Sequence, residues 1–379
     1  MIKIVETKID IENFAQTGVV FSRKYPNGIP HFLSSERHYF VPEYNFFLRM
    51  GGFLEAFLFI ENGQTLGRIA AMIHPENPER GLVGLFDCVE DDRVAFALLD
   101  AAKACLQAQK CQTMVGPVNF TIFQSYRFMT KGFEQEAFVG EPRNPDYYPR
   151  YFEAYGFTTN HRWLSWELSR LEMDKYLADN KKHAEVFEKI GYTFFTFNKS
   201  SSEDFMKQTF RLLIESYRVF PLFTSISEVD FMQEYDLMPT LMDAECSTFG
   251  FNPNQELYGF NIIVKDLTKA LRSMNGKTTL LAKLRFLLNR RKSQMANFAQ
   301  GGTLPRFIRE GLVLGNKVGE PHFSISAATV YRTIQAIRIS KKYTSVIFTL
   351  MREDGMINLQ IKDNHSNERT YAVYELPLL

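Results

Sequence analysis

The stretch FLEAFLFIENGQTLGRIAAMIHPENPERGLVGLFDCVEDDRVAFALLDAAKACLQAQKC, residues 53–111, decides the fold. Residues 53–60 are rich in Phe and Leu and predict a strand. Asn62-Gly63 follows, a dipeptide that adopts positive φ at little cost and therefore closes tight hairpins. Residues 66–73 supply the return strand and 82–87 a third. From 93 to 110 the apolar period lengthens to that of a helix, with Val94, Ala97, Leu98, Ala101, Ala102, Cys105 and Leu106 on one face. Asp91 or Asp92 supplies the N-cap. A short strand at 113–117 closes the unit. Hairpin, strand, helix, strand is an α/β arrangement around a mixed sheet.

The second half of the chain repeats this order. Residues 246–251 read as a strand, 252–255 as a turn and 257–264 as its return. Residues 309–315 predict the third strand, and 326–342 a helix with Ala327, Val330, Tyr331, Ile334 and Ile337 on its apolar face. Residues 344–351 close the copy, and 370–375 add a last strand to it. Two α/β copies in tandem account for most of the chain. The expected boundaries are 1–170 for domain 1, 171–184 for a linker and 185–379 for domain 2. A basic helix at 280–298, with Lys283, Arg285, Arg290, Arg291 and Lys292, is expected as an insertion on domain 2. Its charges face water, and Leu284, Leu287 and Leu288 pack it down.

Composition sets the function classes aside one by one. Among 379 residues, 44 Lys and Arg balance 43 Asp and Glu, for a net charge of +1. That argues against nucleic acid or an anionic membrane as the main partner. No apolar run approaches the ~20 residues of a membrane span. The N-terminus carries acids within its first apolar stretch and shows no secretory signal, so a cytoplasmic location is expected. Cys88, Cys105, Cys111 and Cys246 form no Cys-x-x-Cys pair, and the seven histidines have no zinc spacing, so no metal is expected. Cys88 lies beside Glu90, Asp91 and Asp92, which suppress its thiolate and count against a cysteine nucleophile.

Three passages carry a family resemblance. The first is Gly67-Arg68-Ile69-Ala70-Ala71, then Gly84-Leu85-Phe86-Asp87-Cys88 and the helix that follows. The second is Gly116-Pro117-Val118-Asn119, Lys131-Gly132-Phe133 and Asn144-Pro145-Asp146-Tyr147-Tyr148, continuing through a Tyr-rich helix into Gly156-Phe157. The third is Leu314-Gly315, Glu353-Asp354 and Tyr371-Ala372-Val373-Tyr374-Glu375. Together they resemble the GNAT superfamily, the Gcn5-related N-acyltransferases, with two such domains in one chain.

The resemblance implies two tandem GNAT-like domains and transfer of an acetyl or other acyl group from acyl-CoA to an amine, the acceptor being a small molecule or a peptide. In that superfamily the acetyl-CoA pyrophosphate sits on a helix N-terminus behind an Arg/Gln-x-x-Gly-x-Gly/Ala loop. Neither copy keeps this loop. In copy one Glu90, Asp91 and Asp92 complement the helix dipole themselves and repel an anion, which makes the helix a capped structural one. In copy two Leu314, Gly315, Asn316, Lys317, Val318 and Gly319 combine a cation with two glycines, and these six are the expected cofactor-binding residues.

Acyl transfer to an amine needs a base and an acid. In many members a tyrosine near the late helix acts as the acid, which points to Tyr148 in copy one and Tyr371 in copy two, with Glu353 as a carboxylate for copy two. Asp87, Glu90 and Asp354 are further carboxylates. Asn119 and Asn144, in turn-like contexts beside prolines, and Tyr147 are the expected substrate-binding residues. Two alternatives stand beside this reading. A Fem-type aminoacyl transferase shares tandem GNAT domains, but a near-neutral charge opposes binding of aminoacyl-tRNA. A GNAT-fold binding or scaffold protein without CoA chemistry agrees with the altered loops.

Overall fold

The computed structural model describes residues 1–25, 27–196, 202–308, 323–355 and 365–378. In chain order the elements are β1 (Ile2–Ile4), α1 (Lys8–Ser22), α2 (Leu33–His38), α3 (Phe46–Arg49), β2 (Phe53–Glu61), β3 (Gln64–Ile73), β4 (Arg80–Cys88), α4 (Asp92–Ala108), β5 (Thr113–Gly116), β6 (Phe128–Lys131), α5 (Tyr147–Tyr155) and β7 (Thr158–Ser169). Then come α6 (Arg170–Lys189), β8 (Thr193–Thr196), α7 (Ser202–Tyr217), α8 (Glu228–Glu234), α9 (Met238–Leu241), β9 (Thr248–Phe251) and β10 (Leu257–Lys265). The last are α10 (Thr268–Met274), α11 (Leu280–Asn289), β11 (Met295–Thr303), α12 (Ile325–Ser340), β12 (Ser345–Arg352) and β13 (Ser366–Pro377).

The chain divides into two compact units that are not contiguous halves. Unit 1 holds Met1–Trp163, Leu267–Lys292 and Arg369–Leu379; unit 2 holds Leu164–Asp266 and Ser293–Glu368. This differs from the expected course. The expected linker 171–184 is the middle of α6, a helix of unit 2 packed on α12. The expected helix at 280–298 ends at Asn289, and Met295–Thr303 is a strand. Local helical period loses there to tertiary pairing, because β11 finds β10 on one side and β12 on the other. The helical hairpin α10–α11 belongs to unit 1, and its leucines are exposed rather than packed: Leu284 is 52% and Leu288 65% accessible. The strand expected at 309–315 lies outside the described residues.

In unit 1 the strand order is β1-β2-β3-β4-β5-β13, with β6 also paired to β13. β13 runs antiparallel to β5, Tyr374 opposite Gly116 and Pro377 opposite Thr113. The C-terminal strand therefore completes unit 1, where the sequence placed it in the second copy. α4 buries Val94, Ala95, Leu98, Leu99, Ala102 and Leu106, and the Asp91 side chain accepts from the Arg93 N–H as its N-cap. In unit 2 the order runs β12-β11-β10-β9-β8, and α12 buries the five apolar residues its spacing predicts.

The two units repeat one device. In each, the third strand pairs antiparallel with the hairpin and parallel with the strand after the helix. In each, that third strand carries one extra residue. Ala70 faces Gly84 but Arg68 faces Asp87, and Ile262 faces Gln300 but Ile263 faces Phe298. Such a bulge bends the strand away from its parallel neighbour. The β4–β5 ladder accordingly covers only Arg80–Leu82 against Thr113–Val115, and the β11–β12 ladder only Met295–Phe298 against Ser345–Phe348. At Leu85 the bulge takes a φ of 49°.

Candidate functional site

Where β4 leaves β5, unit 1 opens a cavity of about 360 Å³. That is within the range of small-molecule sites. The bulged end of β4 (Leu85, Phe86, Asp87) forms one wall, Tyr25 and His31 of the α1–α2 connection with Glu36 of α2 another, and the segment 139–144 a third. Leu271 of α10 lines it as well.

A buried ion network crosses its floor. Arg68 Nε donates to Asp87 Oδ2 at 2.6 Å, and Nη1 donates to Glu36 Oε2 at 2.6 Å and to the Phe14 carbonyl at 3.1 Å. His31 Nδ1 lies 2.7 Å from the other Glu36 oxygen, and the Tyr25 hydroxyl donates to Asp87 Oδ1. Burial works against the Glu36 charge, but Arg68 and His31 together hold its carboxyl down to about 2. Burial pushes Asp87 up, against the pull of Arg68 and Tyr25. The guanidinium sits directly over Gly18 of α1, where any Cβ would collide with it.

The 139–144 wall holds a second cluster. Glu141 is fully buried and receives the Tyr371 hydroxyl; Arg369 Nε stands 3.2 Å from its Oε1 and Arg143 Nη1 3.4 Å from its Oε2. Burial raises this carboxyl to about 7, opposed by Tyr371, Arg369 and Arg143. A carboxyl tuned to neutrality inside a cleft has the properties of a proton acceptor near pH 7.

The expected site residues distribute unevenly. Asn119 lines the cavity; its Oδ1 accepts the Leu85 N–H at 2.8 Å, and its amide NH2 has no partner among the described residues. Asn144 also lines it, but both ends of its amide are spent on Met129 N–H, Met129 C=O and Pro145 C=O, bracing β6. The Tyr148 hydroxyl takes the Cys88 N–H at 2.8 Å, and burial pushes the phenol well above its ordinary range. Tyr147 stands outside the cavity, its hydroxyl donating to the Cys88 carbonyl at 3.1 Å. Tyr371, expected in the second copy, lies in unit 1 on β13. Glu353 occupies an exposed turn after β12 in unit 2, apart from any described cluster. Leu314, Gly315, Asn316, Lys317, Val318 and Gly319 lie outside the described residues. Sequence reasoning missed Arg68, Glu36, Glu141 and Arg369. Arg68 alone had a local signal, a charge inside an otherwise apolar strand.

The resemblance puts an acyl-CoA pyrophosphate at a helix N-terminus, and the starts of α4 and α12 differ. In unit 1 the gap between β4 and β5 is taken up by the chain itself: Val118 N–H donates to Val83 C=O at 2.8 Å and Asn119 takes Leu85 N–H. The α4 N-terminus is capped by Asp91, with Arg93 held by Glu61 and Arg150 near Glu90. These residues do not fit a pyrophosphate. Burial, then Asp87 and Asp91, raise the Cys88 thiol, which counts against it as a nucleophile at neutral pH. In unit 2, β11 runs on to Thr303 beyond its ladder with β12, and α12 starts on the neutral cap Ser324, whose Oγ accepts the Ala327 N–H. Nothing acidic occupies the described start of α12.

No family model matches the chain. Among curated proteins, Protein YghO of Escherichia coli (strain K12) is 29% identical over 133 residues, which cover 34% of this chain and 34% of that protein. The match thus spans about a third of that relative's length. A tandem GNAT protein from the clavulanic acid biosynthesis pathway superposes on 100% of this chain and 99% of its own, with TM-score 0.51 and 10% identity. A probable N-acyltransferase of Enterococcus faecalis V583 superposes on 100% of this chain and 72% of its own, with TM-score 0.51 and 9% identity. The fold is therefore the GNAT fold in tandem, as the resemblance implied.

Proposed function

We propose that the protein is an N-acyltransferase that moves an acyl group from a CoA thioester to an amine, and that the unit 1 cavity receives the amine. The observation that carries this reading is Glu141, a buried carboxyl in the cavity wall held at about 7. A thioester is already activated, so the protein's main task is to render the amine nucleophilic. Overall, a C–N bond forms at the thioester carbonyl carbon and the C–S bond breaks. The amine nitrogen loses a proton and the thiolate gains one. Glu141 is assigned the nitrogen's proton. Tyr371 positions Glu141, and the NH2 of Asn119 is assigned to orienting the acceptor. Tyr148 and Asn144 hold the walls in place.

The donor's pyrophosphate is assigned to Leu314, Gly315, Asn316, Lys317, Val318 and Gly319, which lie outside the described residues. That assignment rests on the lysine and two glycines of this segment and on the neutral cap of α12, against three acids at α4. Calorimetry with acetyl-CoA, followed by amine-dependent release of the free CoA thiol, tests the reading. Binding together with release that Glu141→Gln depresses about 10²–10⁴-fold supports it. A second reading, an amine-binding module without transfer, is favoured by Asn119 filling the β4–β5 gap in unit 1. No heat with millimolar acetyl-CoA decides for that module.

A further inference from the structure

We propose that the α10–α11 hairpin is a peripheral docking element for an anionic lipid surface. Residues 267–292 contain eight Lys and Arg and no Asp or Glu, while the whole chain carries +1, so the remaining residues sum to −7. A chain that is neutral in sum thus carries one strongly cationic hairpin. Lys269 and Arg272 are held by Glu136. Lys277, Lys283, Arg285, Arg290 and Lys292 make no ion pair among the described residues.

The same hairpin exposes apolar surface. Leu280, Leu281, Leu284, Leu287 and Leu288 range from 48% to 85% accessible, and Ala282 is the only buried residue of α11. At 3.6 residues per turn these five leucines form one stripe, opposite the face made by Ala282, Phe286 and Asn289. Lys283 and Arg290 flank the stripe on one side and Arg285 on the other. An apolar ridge pointing away from its unit, with long cationic chains on both flanks, suits the boundary between headgroups and acyl chains. The leucines enter the boundary while the cations reach anionic headgroups. A second copy of this chain fits poorly, because two such hairpins face to face would set like charges against each other. Among the described residues no helix is long and apolar enough to cross a membrane, so the contact is interfacial.

Co-sedimentation of the full chain with vesicles of phosphatidylcholine, alone or mixed with phosphatidylglycerol, tests this. Binding is expected to the mixed vesicles, at least about tenfold stronger than to phosphatidylcholine alone, and to weaken with added salt. Leu284→Ser with Leu288→Ser, and separately Lys283→Glu with Arg285→Glu, should each lower binding about tenfold or more. All four positions are exposed, so the thermal midpoint should stay unchanged and report that both variants are folded. Equal binding to both vesicle types, no binding to either, or variants without effect overturns the proposal. So does a wild-type dimer that the leucine variant dissolves, or capture of an acidic amphipathic peptide with vesicles ignored.

Discussion

Arg68 and Asp87 face each other across the β3–β4 ladder, Nε to Oδ2 at 2.6 Å, with both side chains almost inaccessible to water. The same guanidinium holds Glu36, 32 residues away in α2. Two carboxylates share one buried cation, so removing the cation leaves charge that the interior cannot solvate. Arg68→Met is expected to destabilise unit 1 by about 3–5 kcal/mol. Urea unfolding measures it, and a loss below about 1 kcal/mol would contradict the burial argument.

Gly18 lies inside α1, where alanine would ordinarily gain about 1 kcal/mol. Here its missing Cβ makes room for the Arg68 guanidinium. Gly18→Ala should therefore destabilise, by roughly 1–3 kcal/mol, against its helix propensity. A raised melting temperature would show that Arg68 can move aside without loss.

Glu36 predicts an acid limb in stability. Its folded carboxyl is held at about 2, below the ordinary 4.5, so its contribution is fully present above about pH 4.5 and is lost as pH falls towards 2. The full effect is on the order of 3 kcal/mol. The gap in stability between wild type and Glu36→Gln should narrow across that window. A gap independent of pH would mean that Glu36 ionises as it does in the unfolded chain.

Glu141 predicts the pH dependence of transfer. As a base it works when ionised, so the rate should rise with pH through about 7. The Tyr371 hydroxyl bond lowers that value, and Tyr371→Phe should shift the rising limb to higher pH without removing it. A purely structural tyrosine would lower activity at all pH values alike.

The donor assignment separates two charge reversals. Lys317→Glu should weaken acetyl-CoA binding about tenfold, since one charge-assisted contact is worth roughly 1.5–3 kcal/mol. Arg93→Glu should leave it nearly unchanged, because Arg93 at the α4 N-terminus is already engaged by Glu61 and Asp91. Calorimetric titration of both variants gives the answer. The reverse pattern would move the pyrophosphate to the α4 N-terminus.

By itself the sequence determined what depends on neighbours a few positions apart. The Asn62-Gly63 hairpin, the Asp91 cap of α4, the buried face of α12 and the doubling of the unit were all legible from spacing and from side-chain chemistry. Their energies are set within a turn or two of chain. Asp87 and Tyr371 were legible as chemically able residues, but their partners were not. Tyr371 meets Glu141 across 230 positions, and Arg68 reaches Asp87 and Glu36 across 19 and 32. Only the tertiary structure decided that β13 closes unit 1, that Met295–Thr303 pairs as a strand, and that α11 leaves its leucines in water. Long-range strand pairing and burial outweigh local preference, and no pattern within one segment reports which distant surface will cover it.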